Sequence, residues 1–163
     1  EAENRVAQLA QTWQSRDLGP IVMVQHNSAN PGSPLHPDNP GNALMEQIAD
    51  VVPDVLITKR VNSAFYGDPS LQAWLDERGI RDLVICGIQT NMCVETTARM
   101  AGNLGYTVTV PLDATRTFDI DTVTADGTAI HLSADDLMRA TAASLQGGGF
   151  ATVTTTAALL DSR

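Results

Sequence analysis

The chain switches repeatedly between two hydrophobic periods. Val6, Leu9, Ala10 and Trp13 fall at i, i+3, i+4 and i+7, which predicts an amphipathic helix over 1–17, ended by Gly19-Pro20. Residues 21–24 are then continuously apolar, the pattern of a parallel strand covered on both faces. Residues 27–42 carry four Pro and two Gly and predict a long loop, of a length that is more often functional than accidental. A short helix is expected over 44–52 and a strand over 55–58, with Lys59 at its carboxyl end. Asp68-Pro69 suits a helix start, with Asp68 as N-cap and Pro69 in the first turn. Leu71, Trp74 and Leu75 form the apolar stripe of that helix, and Gly79 stops it.

A strand over 83–86, a tight turn over 87–90 and a helix over 91–104 come next, with Val94, Thr97, Ala98 and Ala101 on one helical face. Residues 106–110 alternate as a strand, and 115–130 read as a polar, flap-like loop. Ser133 with Asp136 forms a capping box for a helix through residue 145, and a last strand (150–153) and short helix (157–160) close the chain. Strands separated by helices at this spacing predict right-handed βαβ units and a three-layer α/β/α fold around a parallel, Rossmann-like sheet. Ligands in such folds bind beyond the carboxyl ends of the strands. His26, Lys59 and the turn from Gly87 to Cys93 all fall at such ends, on three separate strands.

Composition narrows the classes. The 163 residues suit one domain, and 10 Lys+Arg against 19 Asp+Glu leave a net charge of −9. That balance argues against nucleic-acid or anionic-membrane partners. Two cysteines cannot build a disulfide scaffold, so a reducing, cytoplasmic setting is the expectation. Nine of the ten basic residues are Arg, and Lys59 is the only lysine.

Cys93 opens the helix after strand 83–86, where unsatisfied N–H groups favour a thiolate. It could equally be a small buried hydrophobe, as Cys86 in mid-strand is expected to be. Lys59 could be a solvated strand end. A lone lysine in a chain that otherwise uses Arg also suits a compact charge that stabilises a thiolate or an oxyanion. His26 could be a substrate donor, a metal ligand or a polar strand end, and His131 reads as a surface residue.

The run Ile57-Thr58-Lys59-Arg60-Val61-Asn62-Ser63-Ala64-Phe65, followed by Gly87-Ile88-Gln89-Thr90-Asn91-Met92-Cys93-Val94, resembles the isochorismatase-like cysteine hydrolases. That superfamily includes nicotinamidases, N-carbamoylsarcosine amidases and ureidoacrylate hydrolases. The resemblance continues through Asp113-Ala114-Thr115 and the Gly149-Phe150-Ala151-Thr152-Val153 segment, and so spans nearly the whole chain. It implies an Asp-Lys-Cys triad, with Lys59 as its lysine and Cys93 as its nucleophile. It further implies a non-proline cis peptide between Ile88 and Gln89, and an oxyanion hole made by the N–H groups of Gln89 and Cys93. His26, Phe65, Ile88 and Gln89 would border the substrate, with the 27–42 loop as part of the wall.

In the family the triad Asp ends a first central strand. This chain begins at Glu1 within the following helix, so it is expected to be a fragment whose Asp lies upstream. Metal-binding members carry Asp-x-His where this chain has Val24-Gln25-His26, so neither a metal nor another cofactor is expected. Cys93 favours the branch that cleaves a carbon–nitrogen bond of a small-molecule amide through an acyl-enzyme. A homo-oligomer is expected. The rival reading is a catalytically inactive α/β binding or oligomerisation module of the same fold.

Overall fold

The computed structural model describes residues 1–163. Helix α1 (Ala2–Ser15) leads into β1 (Val22–His26), which pairs in parallel with β2 (Val55–Lys59). After α2 (Leu71–Glu77), strand β3 (Asp82–Val84) and its short continuation β4 (Gly87–Ile88) precede a π-helical turn, Thr90–Val94, and helix α3 (Glu95–Asn103). β5 (Thr107–Pro111) then runs parallel to β3, and β6 (Thr115–Arg116) runs parallel to β4. An antiparallel hairpin, β7 (Ile120–Val123) and β8 (Ala129–Leu132), leads to α4 (Ala134–Gly147). β9 (Thr152–Thr154) joins the other side of β5, and α5 (Thr156–Asp161) ends the chain. No helix is long and apolar enough to cross a membrane.

The three layers follow from the period of two in the strands. Leu83 and Ile85 point to the larger core with Val108, Val110, Ala98, Ala101 and Leu145, so α2, α3 and α4 cover that face. Val84 and Cys86 point the other way, onto Leu9, Leu159 and Leu160 of α1 and α5. The β1–β2 pair shares no ladder with the β3–β5–β9 sheet, yet Val22, Val55 and Ile57 belong to the same core cluster. Gly67 lets the chain lie flat on β2: a Cβ there would collide with the Ile57 side chain and come within 2.9 Å of the Thr58 carbonyl.

Four expectations need correction. Residues 44–52 form only a 3-10 turn, Glu46–Ile48, because Val51 is buried while Leu44 and Val52 are exposed, leaving no stripe to bury. The N-cap of α2 is Ser70, whose hydroxyl accepts from the Ala73 N–H at 3.3 Å. Asp68 instead pairs its backbone with Thr58, and the Asp68–Pro69 bond is cis. The region 115–130 holds β6 and most of the hairpin rather than open loop, and its Asp126-Gly127 turn was the signal for it. The helix expected from residue 91 begins as a π turn, with α-helical geometry only from Glu95.

Candidate active site

Register brings the first two side chains together. His26 lies opposite Lys59 in the parallel β1–β2 ladder, so both leave the carboxyl ends of neighbouring strands on one face. Lys59 is only 5% exposed, and a buried ammonium needs acceptors for its donors. Its Nζ donates to the Val61 carbonyl at 3.0 Å, to Nδ1 of His26 at 3.0 Å and to Sγ of Cys93 at 3.1 Å. Burial, and then the Lys59 charge, push the His26 imidazole below its usual value, which favours the neutral ring at neutral pH.

Cys93 reaches this point on a wide turn. Gly87 has φ +122°, and the Ile88–Gln89 peptide that follows is cis. The Gln89 carbonyl accepts from the N–H groups of Met92 (3.3 Å) and Val94 (3.1 Å), the latter a five-residue span that closes the π turn. Beneath it, buried Thr90 donates its hydroxyl to Oγ1 of Thr115 at 2.9 Å, which donates on to the Leu112 carbonyl at 2.8 Å. The turn is thereby fixed to the end of β5. Besides Nζ, the polar groups near the Cys93 sulfur are His26 Nδ1 at 3.8 Å and the Asn62 amide oxygen at 3.9 Å.

The structure thus gathers His26, Lys59 and Cys93 into one cluster. Ile88 and Gln89 lie in the strand end and turn that present Cys93, with the Ile88 side chain exposed. Phe65 is partly buried, and its ring packs on Tyr106 at the edge of the core with centroids 5.7 Å apart. The 3-10 turn that carries it, Ala64–Tyr66, is pinned to α3 by the Ala64 N–H donating to Thr97 Oγ1 at 3.1 Å. The 27–42 loop is tied to the end of β1 through Asn42, whose Nδ2 donates to the carbonyls of His26 (2.7 Å) and Leu35 (2.9 Å). Gln25 returns a bond to the Asn42 carbonyl at 2.9 Å.

Cys86 stands apart, and burial pushes its thiol up to about 11. His131 is on the exposed hairpin, 2.8 Å from Asp121. No group of three or more His, Cys, Asp or Glu side chains gathers as a metal cage. A cleft of about 450 Å³, lined in part by Trp13, Ile21, Val52 and Arg78, opens at the amino ends of β1 and β2, away from the cluster. Sequence reasoning passed over the Val61 carbonyl, Asn62 and Asn42. The carbonyl has no side-chain signature at all, whereas Asn62 sits within the quoted lysine motif.

A parallel α/β fold with a thiol and a buried lysine at converging strand ends defines the class of protein. The isochorismatase domain model matches residues 1–157, and the chain belongs to the isochorismatase family of hydrolases. It is 36% identical over 134 residues to the isochorismatase family protein YrdC of Bacillus subtilis (strain 168), covering 80% of this chain and 71% of that one. It is 35% identical over 106 residues to a streptothricin hydrolase of Streptomyces noursei, covering 65% of this chain and 38% of that one. Other relatives carry the names nicotinamidase 3 (Arabidopsis thaliana) and ureidoacrylate amidohydrolase (Stutzerimonas stutzeri strain A1501). A crystal structure of an isochorismatase-family protein from Chromobacterium violaceum ATCC 12472 superposes with a TM-score of 0.85 at 34% identity, covering 98% of this chain and 79% of that one.

Proposed function

We propose that the protein hydrolyses a carbon–nitrogen bond, amide or carbamoyl, of a small molecule through an acyl-enzyme on Cys93. One observation carries this reading: the buried Lys59 ammonium meets the Cys93 sulfur at 3.1 Å, at the carboxyl ends of parallel strands. A cation so placed stabilises the thiolate over the thiol. The thiolate attacks the carbonyl carbon, and the oxyanion faces the N–H groups of Gln89 and Cys93. The carbon–nitrogen bond breaks as the amine takes up the proton that the Cys93 thiol gave to the triad Asp implied by the resemblance, and water then cleaves the thioester to release the acid and the thiol. His26, Ile88, Gln89 and Phe65 belong to the substrate side of this reading. Relatives named nicotinamidase and amidohydrolase support the bond type.

Incubation with a panel of small amides and carbamoyl compounds, with amine release and intact mass followed together, tests the reading. The expected result is turnover with a transient acyl adduct on Cys93. Full turnover by Cys93→Ala refutes it. The reading includes self-association. Light scattering that returns a monomer overturns that part.

A further inference from the structure

Three hydroxyls lie buried around the turn that carries Cys93: those of Thr90, Thr115 and Thr117. A buried hydroxyl needs a partner, and each of these donates to the turn or to its support. Thr90 donates to Thr115, and Thr115 to the Leu112 carbonyl. Thr117 donates to Oδ1 of Asn91, two residues before the thiol. The register of β6 accounts for this. Thr115 lies opposite Gly87 and Arg116 opposite Ile88, so Thr115 and Thr117 turn inward while Arg116 between them is exposed. Two consecutive residues of the π turn, Thr90 and Asn91, are thus held from one segment.

The width of that turn decides where its N–H groups go. The Gln89 carbonyl accepts from Met92 and Val94 and passes over the N–H of Cys93 between them, the one that an α-helix would direct to it. A turn that tightened to α-helical form would draw the Cys93 N–H back to this carbonyl. We propose that Thr117 is a positioning residue for the oxyanion. Its hydroxyl, acting through the Asn91 amide, keeps the turn wide and so keeps the Cys93 N–H available to the charge that forms on the substrate carbonyl. It touches no reacting atom. The inference rests on the acyl-enzyme reading of the site and adds to it a side chain that holds an oxyanion donor in place.

Two reagents for one thiol separate this role from a purely structural one. In acylation by p-nitrophenyl acetate the thiolate attacks the acetyl carbon through a tetrahedral oxyanion, the thioester forms, and p-nitrophenolate leaves with the bonding pair. Alkylation by iodoacetamide displaces iodide and builds no oxyanion. Both rates are measured on the full chain near neutral pH, by nitrophenolate release and by peptide mass at Cys93, with thermal midpoints confirming the fold. Thr117→Val keeps the shape and removes the donor, whereas Thr117→Ser keeps the donor. Thr117→Val is expected to slow acylation roughly tenfold, because a donor is misplaced rather than deleted, and to leave alkylation within about twofold. Thr117→Ser is expected to restore most of the acylation rate. Asn91→Ala breaks the same bond from the partly exposed side, so it should reproduce the Thr117→Val ratio, and the double variant should lose little more. Acylation and alkylation that fall together, or an acylation rate that does not fall, overturn the proposal, as does a Ser variant no better than Val. Should Thr117→Val unfold, Asn91→Ala decides by the same ratio. A wild-type Cys93 that p-nitrophenyl acetate leaves unacylated refutes the acyl-enzyme reading itself, so the two failures are distinguishable.

Discussion

Replacing Lys59 with Met isolates what the cation does, because methionine keeps an unbranched stem of similar reach beside the core and removes only the charged head. At the observed 3.1 Å, an ammonium and a thiolate attract by about 5 kcal/mol at an effective dielectric near ~20. Much of this is offset by taking both charges out of water, and a charge-assisted hydrogen bond retains about 2 kcal/mol net. Cys93 of Lys59→Met should therefore react with iodoacetamide roughly 30-fold more slowly than the wild type near neutral pH. Cys86, whose burial holds its thiol at about 11, is an internal reference that should stay slow in both proteins. Stability should change by less than about 2 kcal/mol, since the acceptors left behind belong to a partly exposed imidazole and to the backbone of an exposed residue. Peptide-resolved alkylation beside a urea titration reads both quantities. A wild-type alkylation rate in a folded Lys59→Met protein refutes the reasoning, because the thiolate would then owe nothing to the lysine.

Protonating His26 is harder in the folded chain than in the unfolded one. Stability should therefore fall as pH drops through the usual histidine range and level off below the depressed native value, and His26→Asn should flatten that limb in urea titrations at several pH values. Glu3 is held at about 2 by a hydrogen bond from its own backbone and by Arg116. Its contribution is present above the ordinary glutamate range and is lost as pH falls through about 2, so Glu3→Gln should remove that part of the acid unfolding. Leu145 is fully buried between α4 and the sheet, and Leu145→Ala should cost about 3 kcal/mol in urea unfolding. Ser70→Ala should cost about 1 kcal/mol as the loss of a helix cap, whereas Asp68→Ala should cost clearly less.

The elements with a strong period were legible. α1, α4, β1 and β2 lie where their patterns put them, because burial on a single face or on both faces leaves its mark residue by residue. The weak elements were misread where local chemistry allowed two answers. Asp68 and Ser70 both suit an N-cap, and only the pairing of Asp68 with Thr58 decides between them. The π turn at Thr90–Val94 leaves no periodic trace in five residues, since it arises from the Gln89 carbonyl collecting two N–H groups. At the candidate site, His26, Lys59 and Cys93 were each visible as polar groups at strand ends. Their distances were not, because these depend on a ladder register and on how a wide turn meets it. The contact of the Phe65 ring with Tyr106 was likewise not legible, since it depends on how the turn after β2 meets the start of β5.

The two halves of the cluster stand on separate sheets. His26 and Lys59 belong to the β1–β2 pair, and Cys93 to the turn after β4, with no ladder bond between them. What spans the gap is the segment just after Lys59. Ala64 donates to Thr97 of α3, and Ser63 donates its hydroxyl to the Met100 sulfur at 3.2 Å, so the chain leaving β2 is fastened to the helix that Cys93 precedes. The Val61 carbonyl, on the same segment, takes one N–H of Lys59. These bonds on residues 61–64, with the core beneath them, fasten the segment leaving Lys59 to the helix that Cys93 opens, so substitutions at Ser63 or Ala64 should disturb the contact between ammonium and sulfur as well as local packing.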